Sequence, residues 1–402
     1  MKKVMVMLLA GCLFLSACAP SFGDQEEIVR ETEDESTEKA IIPKYNISDS
    51  YYKMILPFKE GKARGLVAEN INTRLDIDEF ETGLMRVAQE EFSAEDHLYQ
   101  EGQYLDEKTV RKWLSRKLEG EKLEAAIEES KGKNSNGTKK EPFQNTGLNP
   151  PEATEGDYIQ KNEKSPIYLA HMLEHNYLVR KGENTVELGG VVIGLALNSV
   201  HYYREAVGEP QREYVIDPQK LEAEGKKMAE EVIKRVRTQK GLENVPVVIA
   251  LYKQAPKSSI VPGSFIASTV VDGGSNQIGK WDSIDEEYVF FPSPQGMEDY
   301  REDANLFERF KQDIDEFFPN YTGVIGKAFY KGEEMQELKI DIPMQFYGKS
   351  EVIAFTQFVT GKVVDYFPDY VSVEVNINST SGQEVLIVRK PGQEKPTVHI
   401  YQ

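Results

Sequence analysis

Gly190-Val-Val-Ile-Gly194 opens an apolar run that continues to about Val200; a helix-patterned stretch follows over about Pro218–Lys240, and then apolar Val245–Leu251. A short apolar run is what a buried strand requires. In the stretch between, Leu221, Met228, Val232 and Val236 fall mostly on one side. Glu222/Lys226, Glu230/Lys234 and Glu231/Arg235 make favourable i,i+4 pairs elsewhere on it, and Gly241 stops it. The last third repeats the order. Gly323-Val-Ile-Gly326 and Ala328-Phe329-Tyr330 read as a strand, and 349–367 as a helix through Val352, Phe355, Val359, Val363 and Phe367, ended by Pro368. Val371–Ile377 then alternates as a half-buried strand. Two strand–helix–strand units of similar length point to an internal duplication, and the expected fold class is α+β, with two related strand–helix–strand modules.

Further helices flank these units. Asp76 precedes Ile77, Phe80, Leu84, Val87, Ala88 and Phe92 at helical spacing, with Asp78, Glu79 and Glu81 in the first turn, where the helix dipole favours anions. Asp76-Ile-Asp78-Glu-Phe80 is no calcium loop, since it places Phe at a ligand position and lacks the sixth-position Gly. Trp113 and Leu114 mark a helix from about Glu107; Asp303 with Leu306, Phe307, Phe310, Ile314 and Phe317 marks one ahead of the second unit. Ser165-Pro166 reads as the N-cap and first-turn proline of a helix through Ile167, Leu169, Met172, Leu173 and Tyr177.

The chain has 402 residues, of which 40% are apolar and 29% charged, so it can bury cores for two or three domains. Its formal charge of −19 argues against a nucleic-acid surface, because phosphate binding needs a basic field. Cys12 and Cys18 are its only cysteines, which excludes a Cys₄ zinc site and a disulfide framework.

Two lysines precede a largely apolar run from Val4 to Leu15, and Ser16-Ala17 follow. Val4 to Ala17 is 14 residues, whereas about 20 are needed to cross a bilayer, so residues 1–17 are expected to be an export signal. Leu15-Ser16-Ala17-Cys18 fits a bacterial lipobox, in which Leu15, Ser16 and Ala17 are recognised by the lipoprotein signal peptidase and the Cys18 thiol carries S-diacylglycerol, with or without a further N-acyl chain. Leu9-Ala10-Gly11-Cys12 competes, but cutting there would shorten the signal and leave Leu13-Phe14-Leu15 on the mature end. Position 18 is followed instead by Ala-Pro and an acidic segment. Two acyl chains anchor stably where one does not. The body would then be free of thiols, which suits an oxidising exterior.

Residues 18–44 are expected to form a flexible acidic tether, because like charges extend a segment with too little apolar surface to fold. Residues 119–165, with Lys131-Gly-Lys-Asn-Ser-Asn-Gly-Thr-Lys-Lys140 at the centre and Asn149-Pro-Pro151, read as a long polar loop whose start extends a helix. The organisation expected is therefore a signal peptide over 1–17, a tether over 18–44, an N-terminal part over 45–118 and a loop over 119–165. Modules over 166–280 and 281–402 complete it.

His171-Met-Leu-Glu174-His175 matches the H-x-x-E-H pattern. On a helix both imidazoles would share a face and hold one zinc, with Glu174 as base and a third ligand from among Glu222, Glu224, Glu230 and Glu231. Satisfied structural histidines are the competing reading. Asp272-Gly-Gly-Ser275 reads as a turn, lacking the lysine of a phosphate loop. Ala255–Phe265 is either a binding edge or a plain connector. No catalytic residue and no cofactor beyond the lipid is assigned.

Leu56-Pro-Phe-Lys-Glu-Gly-Lys-Ala-Arg-Gly65, Asp76-Ile-Asp-Glu-Phe-Glu-Thr-Gly-Leu84 and Gly189-Gly-Val-Val-Ile-Gly-Leu-Ala-Leu-Asn-Ser199 resemble the CamS sex-pheromone-precursor lipoproteins of low-GC Gram-positive bacteria. So do Lys253-Gln-Ala-Pro-Lys-Ser-Ser259 and Asp341-Ile-Pro-Met-Gln-Phe-Tyr-Gly-Lys-Ser350. The resemblance implies a two-repeat extracellular domain. It also implies that a short apolar peptide is released from the end of the signal sequence, here Gly11-Cys12-Leu13-Phe14-Leu15-Ser16-Ala17. Members known for pheromone activity begin that peptide Ala-Ile-Phe, where this chain has Gly-Cys-Leu. The expected protein is a non-enzymatic lipoprotein held at the extracellular face of the cell membrane. Its partners are the bilayer and the lipoprotein-processing enzymes. An extracellular ligand-binding lipoprotein and a zinc peptidase are the alternatives.

Overall fold

This computed structural model describes residues 26–31, 37–45, 47–48, 51–133, 138–182, 185–317 and 323–401. The signal peptide, Cys12, Cys18 and the segment 11–17 lie outside the described residues. In chain order the first part comprises β1 (Glu26–Glu31), β2 (Thr37–Ile42), β3 (Lys53–Met54), α1 (Leu66–Asn70), α2 (Arg74–Ala88), β4 (Leu98–Glu101), α3 (Glu107–Leu114), α4 (Gly120–Ser130) and α5 (Tyr158–Lys164). It continues with β5 (Leu169–Arg180), β6 (Thr185–Asn198), β7 (Val200–Tyr203), β8 (Arg212–Val215), α6 (Pro218–Val236), β9 (Val247–Gln254), β10 (Ser264–Val271) and β11 (Asp282–Ser283). The second part comprises β12 (Glu286–Phe291), α7 (Pro294–Asp299), α8 (Arg301–Phe317), β13 (Ile325–Lys331), β14 (Glu334–Pro343), α9 (Lys349–Tyr366), β15 (Ser372–Ser379), β16 (Gly382–Arg389) and β17 (Thr397–Ile400).

The first sheet runs β11-β10-β9-β6-β5-β4-β3, with β1 and β2 attached beside β6. β6 and β9 pair in parallel from Val191↔Val247 to Asn198↔Gln254, and α6 makes the crossover between them. Val191, Ile193, Leu195 and Leu197 pack with the α6 side chains Leu221, Val232, Ile233 and Val236. On the other face Val192 and Ala196 pack with Phe80, Leu84 and Phe92. The run is apolar at every position because helices cover both faces. The two glycines that bracket it make room for rings. A Cβ on Gly190 would lie 2.2 Å from Phe92 Cζ, and one on Gly194 would lie 2.7 Å from Phe80 Cε2.

The second sheet runs β12-β13-β14-β15-β16-β17 and carries α8 and α9 on one face. Its strands alternate: Met335, Leu338, Ile340 and Ile342 of β14 are buried, as are Val373, Val375 and Ile377 of β15. Arg389 of β16 donates to the carbonyls of Val363 and Phe367 at the α9 C-terminus, at 3.3 and 3.0 Å.

The α+β class holds, and the repeat is larger than the sequence suggests. Each half contains an antiparallel hairpin, a helix and a second hairpin, with the two central strands parallel: β5-β6-α6-β9-β10 and β13-β14-α9-β15-β16. The counterpart of β6 is therefore β14, not the strand containing Gly323-Val-Ile-Gly326. That segment leads into β13, one strand further from the crossover, and Gly326 there accommodates Phe307.

Three further expectations are corrected. Ser165-Pro166 ends a helix instead of starting one: Ser165 is the C-cap of α5, its N–H bonded to the Lys161 carbonyl, and the residues beyond it enter strand β5. Within the tether expected over 18–44, Glu26–Glu31 and Thr37–Ile42 are strands. β1 and β2 form an antiparallel hairpin that joins β6, and Ile28, Ala40 and Ile42 are buried with Ile55, Leu98, Leu178 and Val186. The polar stretch 119–165 holds exposed α4 and α5, but it is pinned by buried Leu148 and Asn149. Asn149 donates to the Leu114 and Leu169 carbonyls and accepts from the Tyr168 and Leu169 N–H groups.

Gly190→Val should lower stability by about 1–3 kcal/mol through overpacking against Phe92, read as a reduced urea midpoint. Gly361→Ala, in mid-α9 with open space around its Cβ, should raise it by about 0.5–1 kcal/mol.

Candidate functional site

His171, Glu174 and His175 lie on β5, a strand paired on both sides. Four residues of strand span about 13 Å, against about 6 Å for one helical turn. With zinc–nitrogen bonds of about 2 Å, the two imidazoles do not converge on one ion. Glu222, Glu224 and Glu231 are held in surface ion pairs with Lys226, Lys227 and Lys234 on α6. That helix packs on the opposite face from Phe80 and His171. Among the described residues no three His, Cys, Asp or Glu side chains form a metal-holding group.

Glu174 has a different task. Its carboxylate is buried and accepts N–H bonds from Gln103 at 2.9 Å, Tyr104 at 3.1 Å and Leu105 at 2.6 Å. With its amide turned toward the carboxylate, Asn176 donates to Oε1 at 2.6 Å. Burial pushes this carboxyl up, and the backbone donors oppose that rise. The bonds hold the β4–α3 turn against β5. Gly102 allows the approach, since a Cβ there would lie 2.6 Å from Glu174 Cβ.

Between this turn, the 51–65 segment, α1, α2 and β5 lies a cavity of ≈ 370 Å³, within the range of small-molecule sites. Met54, Val67, Met85, Leu105, Val110 and Met172 line it, together with the Tyr99 ring. His171 and His175 lie on its β5 wall. His171 Nδ1 is 3.4 Å from Asn70 Nδ2, and His175 meets Tyr99 edge-on at 5.0 Å. Burial pushes their imidazoles down to about 4 and about 3, so both are neutral near pH 7. The charged groups of the lining are Arg64, Glu81, Glu101 and Glu174. Burial raises the Glu81 carboxyl, with Arg74 opposing. Sequence reading assigned Glu81 only to the helix dipole. Its place between Ile77 and Met85, one turn from each, was the available signal that it edges the apolar face.

The Ala255–Phe265 connector is tied to α2 through Asp76. This buried carboxylate accepts from Tyr252 Oη at 2.8 Å and from the N–H groups of Ala255 and Gly263 at 3.0 and 2.9 Å, all on Oδ1. Thr73, the N-cap of α2, donates to Oδ2 at 2.7 Å. The Asp272-Gly-Gly-Ser275 turn is likewise structural, its carbonyls at Asp272 and Ser275 bonded by Arg237. Arg86 links α2 to the second sheet. It pairs with Glu79 at 2.6 Å and Glu286 at 2.7 Å and lies 4.6 Å from the Phe329 ring centre, while Tyr288 donates to Glu79.

The family of CamS sex pheromone cAM373 precursors matches residues 58–395. The chain resembles the C-terminal domain of the sex pheromone staph-cAM373 precursor from Staphylococcus aureus at 30% identity and a TM-score of 0.70, over 83% of this chain and 98% of that one. It resembles a sex pheromone precursor from Lactobacillus salivarius subsp. salivarius UCC118 at 29% identity and a TM-score of 0.76, over 90% of this chain and 98% of that one. A comparison with curated proteins found no match. The fold is thus that of sex pheromone precursors from Gram-positive bacteria. This chain belongs to the CamS family. No helix among its described residues is long and apolar enough to cross a membrane.

The two cavity histidines give a pH dependence of known sign. Their folded values lie below the unfolded 6.5, so the unfolded chain takes up protons first as pH falls. Their contribution is complete above about pH 6.5 and declines toward about pH 4, at roughly 1.4 kcal/mol per pH unit per histidine. Raised carboxyls such as Glu174 act with the opposite sign, so the comparison must be between variants. Urea midpoints measured from pH 7 to pH 5 should fall less steeply in His175→Phe than in the unaltered protein.

Proposed function

We propose that the chain is a CamS-type lipoprotein, held at the extracellular face of the cell membrane by a diacylglycerol thioether on Cys18. One observation carries this reading: Leu15-Ser16-Ala17-Cys18 stands directly behind the apolar run of an export signal, in a member of this family. Glu26, the first residue of β1, stands eight positions after Cys18, a reach of at most about 28 Å. The folded body therefore sits close to the bilayer. Cleavage before Cys18 frees the signal fragment, and its apolar end, Gly11–Ala17, is the segment from which a pheromone-like peptide would be trimmed.

The body is read as a binding module and not as an enzyme. The cavity beside β5 supports this, because it is apolar and walled by neutral imidazoles, and its one buried acid, Glu174, is fully occupied by backbone donors. A hydrolytic site would need a nucleophile and a base in bonding reach of each other, and the described lining offers no such pair.

Cys18→Ala should block maturation or release the body from the membrane, read by fractionation and intact mass; unchanged acylated protein would refute the anchor. Culture medium should contain a peptide ending at Ala17 by mass spectrometry, and medium without it would refute release of the fragment.

A further inference from the structure

The cavity beside β5 has a charge imbalance that specifies its guest, an inference that rests on the binding-module reading above. The nearby arginines are already engaged. Arg64 is 3.4 Å from Glu60 and lies over the Phe58 ring, 5.1 Å from its centre, and Arg74 is 2.8 Å from Asp78. Glu101 uses Oε2 to accept the Gly61 N–H at 2.6 Å, and no cation pairs with it among the described residues. Glu81, half-buried on the α2 wall, makes no hydrogen bond and no ion pair among the described residues. Burial is the main cost of charging Glu81, Arg74 opposes it and Glu101 adds to it. His171 and His175 are neutral and offer no positive charge to an anion. A carboxylate partly withdrawn from water with no donor is an unmet cost, and the remaining surface is methionine, aliphatic and aromatic.

We propose that this cavity binds a primary amine carried on an apolar body, with the ammonium on Glu81 and the apolar portion against Met54, Met85 and Met172. Thioether side chains adapt to guests of varied shape, and the Tyr99 ring adds a surface that attracts cations. Anionic guests are disfavoured by Glu81 and Glu101. Neutral guests of the same shape gain the apolar contact alone.

The test is calorimetric titration of the mature chain with three probes that differ only in head group: n-hexylamine, hexan-1-ol and hexanoate. Hexylamine should bind saturably and at least tenfold more tightly than hexanol, and hexanoate more weakly than either. Glu81→Gln, confirmed as folded by an unaltered melting temperature, should bring hexylamine to the hexanol level and leave hexanol unchanged. Val67→Trp should weaken all three by filling the cavity. Equal binding of hexylamine and hexanol, or a hexylamine preference that survives Glu81→Gln, would overturn the amine assignment and leave the binding module standing. Absence of binding by all three probes would overturn both.

Discussion

A carboxylate removed from water is tolerable only when donors surround it, and Asp76 organises the centre of this protein by that rule. Its donors come from three places in the chain: Thr73 at the start of α2, Tyr252 in β9, and the backbone of the β9–β10 connector at Ala255 and Gly263. None of these groups is free to move without exposing a buried charge. The helix that roofs one face of the first sheet is therefore locked to the strand that follows the crossover. Glu174 applies the same rule to the β4–α3 turn. With α2 and that turn fixed, the walls of the cavity between them are set.

The two sheets solve burial differently. The first is covered on both faces, so its central strands are apolar throughout and need glycine wherever an aromatic ring presses in. The second carries helices on one face, so its strands alternate. Arg86 joins the halves by satisfying Glu79 from its own helix and Glu286 from β12 at once. The pair is strongest where water is scarce, and one guanidinium bonded by two carboxylates sets their separation as well as their charge.

The recognition role proposed for the body draws on these features. Its buried acids are saturated by structural donors, its buried histidines are neutral, and its cavity is lined by flexible apolar side chains with one unmatched carboxylate at the edge. As proposed, anchoring and peptide release would rest on the N-terminal eighteen residues, and recognition on the fold. The two tasks share a chain but no side chains.

The amino-acid order by itself determined the α+β class and the helices 74–88, 107–114, 218–236, 301–317 and 349–366 to within a few residues, because each rests on local periodicity or capping. Family membership was legible too, since long runs such as Gly189–Ser199 survive as text. What only the tertiary structure decided was the state of segments whose neighbours lie far away in the chain. Residues 169–180 carry an apolar spacing compatible with a helix, yet they form a strand, because β4 and β6 complete their hydrogen bonds and both faces are covered. Glu26–Glu31 and Thr37–Ile42 enter a sheet because β6 offers an edge and a few apolar side chains find a shared core. The place of Glu81 was of this kind as well: a charge at the edge of a helix face comes to line a cavity only when the β4–α3 turn and strand β5, both outside its own helix, fold against it. Local forces write helices and signals into sequence, while pairing partners, buried charges and cavities arise from contacts between residues that the order of the chain keeps apart.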